Sequence, residues 1–407
     1  MTVRFTNIRR RALYCAVGIL LLALFPTAAR AADALFSEPR ILTREADLCK
    51  WITAADLNGD AIPDVLTASY MDNKIAWHEN RLKGPERDFG PQQIITTAAL
   101  GPRSVHAADL DSDGDMDVLY ASSLLPVIAW HENRLNETEG GWGPMRIIES
   151  EYTLPVSVYS ADLDGDGATD VISASFLDNM VAWHPNTSPR GTFGKRRIIS
   201  STTEGPRMVY AADMNGDGRP DVLSATSLDN AISWFPNRLH SHPEAPFPRH
   251  VMDGKHDGVN GVFAADLDGD GNRDILGCSV FDGRIAWYQN HLNDPEGDFG
   301  PQRIVSSALE APQIMSAADV DGDGDTDVLA VSSEDNTVAW FENLDGKGTF
   351  GPPRVITTEM ILPLAVHAAD LNGDGAPDAL YCSGADKTAA WSANLRLVPS
   401  GVLWALH

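Results

Sequence analysis

Short stretches of alternating apolar and polar residues recur along the whole chain, each cut off by a cluster of Gly, Asp, Asn or Pro. "SVHAADL" (residues 104–110) alternates up to an acidic stretch, and "DVLYAS" (117–122) follows it as a near-continuous run of β-formers. A tight turn such as "FLDN" (176–179) or "SLDN" (227–230) comes next, then a third apolar run such as "KIAWHEN" (74–80) or "AISWFPN" (231–237). After a variable polar loop, "FGPQRIV" (299–305) is typical of a fourth. The period is two throughout these runs, and no stretch sustains the 3.6-residue period of a helix. The pattern predicts four antiparallel strands in about fifty residues.

The unit occurs seven times. Its acidic stretch opens at Asp56, Asp109, Asp162, Asp213, Asp266, Asp319 and Asp370, in steps of 53, 53, 51, 53, 53 and 51 residues. A tryptophan follows each of these at +21 (Trp77, Trp130, Trp183, Trp234, Trp287, Trp340, Trp391) and an asparagine at +24, from Asn80 to Asn394. So regular a period outweighs any single motif. Seven four-stranded units predict an all-β chain, a seven-bladed β-propeller. The ends of the chain sharpen this. An aromatic residue opens the fourth run twenty residues before each acidic stretch (nineteen for Phe247), and the first such aromatic is Phe36, in "FSEPRIL". One fourth-type strand therefore precedes blade 1, and none follows Trp391. Residues 36–43 are expected to pair with the Trp391 strand and close the ring, covering two sheet edges at once.

The acidic stretch has the form D-x-[DN]-x-D-x-x-x-D, with Gly at its sixth position in six of seven copies. Oxygens at positions 1, 3, 5 and 9, with the backbone carbonyl of position 7, make an oxygen-only ligand set that suits calcium. Glycine at position 6 supplies the left-handed conformation such a turn needs. The candidate ligands are Asp56, Asn58, Asp60, Ile62 and Asp64 in blade 1; Asp109, Asp111, Asp113, Asp115 and Asp117 in blade 2; Asp162, Asp164, Asp166, Ala168 and Asp170 in blade 3; Asp213, Asn215, Asp217, Arg219 and Asp221 in blade 4. Blade 5 offers Asp266, Asp268, Asp270, Asn272 and Asp274; blade 6, Asp319, Asp321, Asp323, Asp325 and Asp327; blade 7, Asp370, Asn372, Asp374, Ala376 and Asp378. Up to seven calcium ions are expected, one per blade. The alternative is a solvated acidic turn without an ion. Positions 1, 3 and 5 match the start of an EF-hand loop, but no glutamate stands at position 12 and the flanks are strands. Blades 2 and 6 carry a fifth carboxylate, Asp115 and Asp325.

Composition and charge narrow the partners. The chain has 407 residues and a formal charge of −26. Residues 1–31 read as a cleaved signal peptide: Arg4, Arg9, Arg10 and Arg11 precede a short apolar run, and Ala29 and Ala31 stand at the cleavage positions. The alternative is an uncleaved anchor. Cleavage removes five arginines and no acid, which takes −26 to −31. That charge argues against nucleic acid or anionic membrane as partner. No later apolar run is long enough to span a bilayer. Residues 32–395 are expected to form the propeller, and 396–407 a tail. The mature chain keeps Cys49, Cys278 and Cys382, an odd and sparse set that reads as buried apolar residues rather than a disulfide framework.

Taken together, the calcium loop, the "FG" pairs at Phe89-Gly90, Phe193-Gly194, Phe299-Gly300 and Phe350-Gly351, and the "GP" at Gly101-Pro102 before a first strand resemble the FG-GAP (or VCBS) repeat of integrin α-subunit propellers. The resemblance covers about residues 36–395. It implies seven blades and calcium in the loops. Many members are secreted and bind protein or carbohydrate, and some resemble mushroom propeller lectins. Blade 1 departs from the pattern, with Ala61 at position 6 and Pro63 at position 8.

The seven tryptophans are expected to pack between blades rather than stack on sugars. His78, His131 and His184 share a register with Phe235, Tyr288, Phe341 and Ser392, which suggests a half-exposed aromatic slot rather than a metal ligand. His240, His242, His250 and His256 fall in the least repeat-like stretch, 237–261, where a zinc site or a specific partner surface is conceivable. Asn136 and Asn186 head glycosylation sequons. No catalytic motif stands out. The expected function is a secreted, extracellular or periplasmic, calcium-binding, non-catalytic module for protein or glycan, taken as a monomer. The alternatives are an extracellular polysaccharide lyase or hydrolase on the same scaffold, and a structural envelope protein. Recognition is expected at the two-to-three turns and four-to-one links around the channel mouth, opposite the acidic loops.

Overall fold

The computed structural model describes residues 35–396 except Glu139, Pro189, Arg190, Asp253 and Glu296. The expected signal peptide, residues 1–31, and the expected tail beyond Arg396 lie outside the described residues. Every described regular element is a strand. Seven four-stranded antiparallel sheets form, one per repeat. In blade 1 the strands are Cys49–Ala55, Asp64–Ser69, Lys74–His78 and Gln93–Thr96, paired in sequence order. Blade 3 adds a small ribbon, Asn186–Ser188 with Thr192–Phe193. The first strand of each blade packs on the first strand of the next, all the way round to blade 7 against blade 1, so the first strands line a central channel.

The predicted closure is present. Arg40–Thr43 pairs with Ala389–Ser392 as the outer strand of blade 7, with Arg40 opposite Trp391. Phe36 bridges Asn394, repeating the contact that Phe89 makes with Asn80 and Phe350 with Asn343.

The core is not one mass but seven seams. Each buried apolar cluster is centred on the seam between two adjacent blades; Leu57, Leu66, Ile75 and Trp77 of blade 1, for example, meet Val105, Val118, Tyr120 and Val127 of blade 2. Another cluster joins Cys49, Ile52 and Val65 of blade 1 to Leu380, Cys382 and Trp391 of blade 7. Because each sheet is covered on both faces, all six residues of every second strand are buried. Hence "DVLYAS" reads as a continuous run instead of alternating.

The seven tryptophans are inter-blade packing, none more than 6% exposed. An arginine from the fourth strand covers the ring in five blades, as Arg146 does over Trp130 at 4.8 Å and Arg40 over Trp391 at 5.0 Å. The three cysteines are free and buried.

The register after the tryptophan is a correction. His78, His131, His184, Phe235, Tyr288, Phe341 and Ser392 are all buried, at most 4% exposed, so the slot is core and not half-exposed. Burial pushes the His78 and His184 imidazoles down to about 4, and lowers that of His131. A histidine depressed on folding contributes its full share of stability above its unfolded value near 6.5 and loses it as pH falls towards 4. His78→Phe, which copies the occupant of blades 4 and 6, is therefore expected to relieve up to about 3 kcal/mol of destabilisation at pH 4. Urea unfolding of both chains in calcium at pH 7, 5.5 and 4 measures this; an unchanged acid loss would count against it.

Candidate metal centres in the acidic loops

Each acidic loop joins a first strand to a second, and its ninth residue is the first residue of the second strand. That residue (Asp64, Asp117, Asp170, Asp221, Asp274, Asp327, Asp378) is buried in every blade. Its two oxygens have fixed duties. In blade 2, Asp117 Oδ2 accepts the Leu110 N–H at 2.9 Å and Oδ1 accepts the Asn133 N–H at 2.8 Å. The first aspartate caps the turn: Asp162 Oδ1 accepts the Gly165 N–H at 2.7 Å and Oδ2 the Gly167 N–H at 2.9 Å. The carboxylate at position 5 accepts the N–H of position 7, as Asp60 does from Ile62 at 2.8 Å. The same bond joins Asp113 to Asp115, Asp166 to Ala168, Asp217 to Arg219, Asp270 to Asn272, Asp323 to Asp325 and Asp374 to Ala376.

Positions 1, 3 and 9 converge. In blades 2, 3, 5 and 6 one oxygen from each lies within 4.8 Å of the others: Asp109, Asp111 and Asp117; Asp162, Asp164 and Asp170; Asp266, Asp268 and Asp274; Asp319, Asp321 and Asp327. Blades 1, 4 and 7 have Asn58, Asn215 and Asn372 at position 3, an amide oxygen in place of a carboxylate. Asp115 and Asp325 stand outside these clusters; Asp115 accepts a hydrogen bond from Asn136 at 3.2 Å.

Electrostatics favours a cation there. Asp111 Oδ1 and Asp164 Oδ1 are buried with no hydrogen-bond partner. Burial, then the neighbouring acids, pushes Asp111 up to about 6. Burial, against two backbone N–H bonds, pushes six of the seven ninth-position carboxyls up to about 7. Asp221 reaches about 6, helped down by the Trp234 indole N–H. An orphaned buried oxygen beside two more acids fits a hard divalent cation. Positions 1, 3 and 9 would hold it, with position 5 and the position 7 carbonyl completing an oxygen set.

Blade 1 folds its loop like the others. Ala61 takes the left-handed conformation of its glycine counterparts (φ 65°), at a cost of roughly 1 kcal/mol for a residue with a Cβ. Proline at position 8 is no obstacle, since Pro220 and Pro377 recur there and all three carbonyls accept a bond from the +24 asparagine.

The loops match known proteins. FG-GAP-like repeats are recognised at residues 36–120, 162–224, 213–277, 266–330 and 319–381. The chain belongs to the FG-GAP-like repeat family. Human T-cell immunomodulatory protein is 27% identical over 339 residues, 72% of this chain and 50% of the relative; the rat protein of that name is 25% identical over 341 residues. The chain thus spans about half the length of the curated relatives it matches. A crystal structure of BBS1N in complex with ARL6DN has the same fold at a TM-score of 0.60 and 10% identity, covering 89% of this chain and 98% of that one. A functionally unknown protein from Desulfotomaculum acetoxidans aligns at 0.50 and 11%, covering 75% and 84%.

In this FG-GAP-like propeller the +24 asparagine, whose role its sequence position does not disclose, ties each acidic loop to the previous blade. Asn133 Nδ2 donates to the Met116 carbonyl of its own loop at 2.9 Å and to the Leu57 carbonyl in the loop of blade 1 at 2.7 Å. The same inter-blade bond runs round the ring, ending with Asn80 to Leu371 and Asn394 to Val320. Asn133→Ala strands the buried Leu57 carbonyl and the part-buried Met116 carbonyl and is expected to cost about 1–3 kcal/mol, read as a urea midpoint shift, while Asn136→Ala leaves the midpoint in place. Asn186 is one of these clamps and is buried, so its sequon is closed in the folded chain; Asn136 is exposed.

The histidines of 237–261 do not converge on a metal. His250 stacks on Trp234 at 5.0 Å, His256 Nε2 lies 2.6 Å from the Tyr288 hydroxyl, and His242 Nδ1 is 3.1 Å from Ser241 Oγ. Inside the channel, the residue three before each acidic loop builds a partial aromatic ladder: His106 to Tyr159, Tyr159 to Tyr210, and Tyr210 to Phe263, each 4.6–4.8 Å apart. Among the described residues no helix is long and apolar enough to cross a membrane.

Proposed function

We propose that this chain is an exported, calcium-stabilised, non-catalytic binding module that docks a protein on its turn face, the face opposite the acidic loops. One observation carries the reading. The same position of the two-to-three turn holds a large, exposed apolar side chain in five successive blades: Met71, Leu124, Leu177, Leu228 and Phe281, between 45% and 63% exposed. Blades 6 and 7 have Glu334 and Ala385 there. The result is a crescent of apolar tips on a strongly acidic protein, and exposed apolar surface of that extent is the mark of a docking site.

Protein is favoured over glycan because the repeated tryptophans are buried and cannot stack on a sugar, and because the exposed tips are mainly aliphatic. The curated relatives are named for modulating T cells, not for a reaction, which accords with a binding role. The convergent carboxylates and the two orphaned oxygens of Asp111 and Asp164 support calcium at the acidic loops. Export rests on the arginine-rich apolar leader in the sequence.

The test compares the purified chain with a Leu124→Asp/Leu177→Asp variant of the same melting midpoint. Partners cross-linked to wild type but not to the variant, with hydrogen-exchange protection on the two-to-three turns, support the reading. Equal capture by both chains, protection confined to the acidic loops, or turnover of a polysaccharide by the purified chain overturns it.

A further inference from the structure

At one seam the repeat breaks at two positions that touch. Seven residues before the first aspartate of the acidic loop, five blades carry proline, as at Pro102, and blade 5 carries Val259; blade 1 carries Cys49. Twelve residues after that aspartate, five blades carry alanine or valine, as at Ala121 and Val331, while blade 5 has Cys278 and blade 7 has Cys382. Cys49 opens the first strand of blade 1, and Cys382 lies in the second strand of blade 7, Asp378–Ser383. Both belong to the apolar cluster between those blades, and both are 0% exposed. Cys382 Sγ lies 3.5 Å from the Cys49 carbonyl oxygen, and the two thiols are hydrogen-bond neighbours. Cys49 Sγ also lies 3.4 Å from the Trp51 carbonyl. Cys278 shows the same register without a partner: its thiol lies 3.2 Å from the Gln313 carbonyl of blade 6, where Pro312 stands in place of a second sulfur.

Apolar filling does not account for the pair. Proline suits the first position and a small aliphatic residue the second in most blades, so neither place asks for sulfur, and no other seam has sulfur at both. The seam is also the one that closes the ring. The chain is interrupted within blade 7, whose outer strand Arg40–Thr43 comes from the other end of the sequence. A bond between the two sulfurs spans that break and joins residues 333 apart in the chain. A cross-link that closes so long a loop restricts the unfolded chain strongly. Exchange chemistry has its place while the seam is open. In the closed seam, burial and then the adjacent Cys49 thiol push the Cys382 thiol well above its ordinary value, which withholds the thiolate that exchange needs. Lys50 follows Cys49 in the chain, and its charge acts on both thiols in the direction that favours the thiolate.

We infer that Cys49 and Cys382 form a disulfide that seals the ring as it closes. The oxidant is a small disulfide such as glutathione disulfide. With the seam open, one cysteine gives its proton to solvent, and its thiolate attacks a sulfur of the oxidant and expels one thiolate. As the strand Arg40–Thr43 brings the seam together, the second cysteine thiolate attacks the protein sulfur of the mixed disulfide and expels the other. The Cys49 Sγ–Cys382 Sγ bond forms and the S–S bond of the oxidant breaks. The two electrons lost by the protein thiols end on the two thiols released, which take up the two protons. Cys278 stays a thiol. The inference is independent of the docking face.

The test refolds the full chain from urea in calcium, once with reduced and oxidised glutathione and once with dithiothreitol. Each product is denatured, its free thiols are blocked with iodoacetamide, and its peptides are mapped by mass spectrometry. After dithiothreitol, Cys49, Cys278 and Cys382 should all carry the label. After glutathione, Cys278 should carry it, and the peptides of Cys49 and Cys382 should appear joined. Native oxidised chain should lose the bond to dithiothreitol at least tenfold more slowly than the same chain in urea. Its melting midpoint should exceed that of the reduced chain by about 5 °C. Cys49→Val and Cys382→Ala copy the residues of other blades at those positions, and in each the two midpoints should coincide; Cys278→Ala should keep the difference. The map is made on the wild-type chain, so it stands whether or not a variant folds. Label on both Cys49 and Cys382 after glutathione refolding overturns the inference, as does a bond from either to Cys15 or Cys278. An oxidised chain that melts no higher than the reduced one overturns the sealing role.

Discussion

Chelating divalent ions with EDTA is expected to lower the melting midpoint of the purified chain by about 9 °C at pH 7.5, and calcium added back is expected to restore it. The size follows from the loops. Extracellular sites bind calcium at about 0.1–1 mM, so about 1 mM free ion contributes roughly 1 kcal/mol per site and about 7 kcal/mol over seven. With an unfolding entropy of about 2.1 cal/mol/K per residue, a ring of roughly 360 residues converts that into about 9 °C. The opposing force is carboxylate repulsion: two charges about 5 Å apart cost roughly 3 kcal/mol at an effective dielectric of 20, and the loops hold 27 carboxylates. The effect also has a pH signature. The ninth-position carboxyls have folded values of about 7, raised by burial above their unfolded 3.8. The ion-free protein therefore binds more protons folded than unfolded, and its stability falls as pH rises from about 4 through 7. Calcium selects the ionised form, so in its presence that fall is removed, and the gap between calcium and EDTA widens from pH 5 to pH 8. Calorimetric melts at four pH values in each condition check this. Blades 1, 4 and 7, with an amide at position 3, should release ion first as EDTA is titrated. Melting curves that coincide with and without EDTA at pH 8 would remove calcium from the account.

What the chain discloses in advance is what repeats. The seven acidic loops, the tryptophan at +21 and the displaced first aromatic at Phe36 are periodic, and periodicity is visible without a structure. Blade number, strand order and the closing strand all follow from it. The +24 asparagine was equally visible, but its role was not, because its second acceptor sits 74–76 residues earlier in the chain, in the preceding blade, or 291 residues later for Asn80. The burial of the histidine register is not visible in the sequence for a related reason. Alternation along a strand tells which residues share a face, but in a propeller both faces of the inner strands are covered. The apolar crescent was legible in principle, since its members share one position of the two-to-three turn. Its residues differ from blade to blade, so the repeat that reveals the loops and tryptophans does not single them out. The loops and seams build the ring, and the docking face proposed above lies where the blades differ from one another.

Removing residues 35–43 opens the ring, and this truncation is expected to abolish cooperative unfolding and leave an aggregating chain. The strand Arg40–Thr43 covers the third strand of blade 7, and its removal bares the N–H and C=O groups of Ala389–Ser392 as an unpaired edge. It also takes away Phe36, which is 5% exposed in the seam between blades 6 and 7, and the bonds from Ser37 N–H to the Ala393 carbonyl and from Leu395 N–H to the Leu35 carbonyl, both 2.8 Å. One buried phenylalanine is worth about 3–5 kcal/mol on truncation to alanine, and each ladder bond adds about 1 kcal/mol. The sum is comparable to a domain's whole net stability of about 5–15 kcal/mol, so the seventh blade cannot hold its place without this strand. Phe36→Ala alone should keep the fold and lower the midpoint. Arg40→Pro should do so as well, by deleting one donor opposite Trp391. The decisive measurement is complementation. A synthetic peptide of residues 35–44 added to the freshly refolded truncation should restore a single sharp melt and the compact elution volume of the full chain, whereas the same peptide carrying Phe36→Ala should restore them only at higher concentration. A truncated chain that melts cooperatively at the full-length midpoint would show that the seventh blade is held by its seams alone, with the closing strand contributing nothing to the ring.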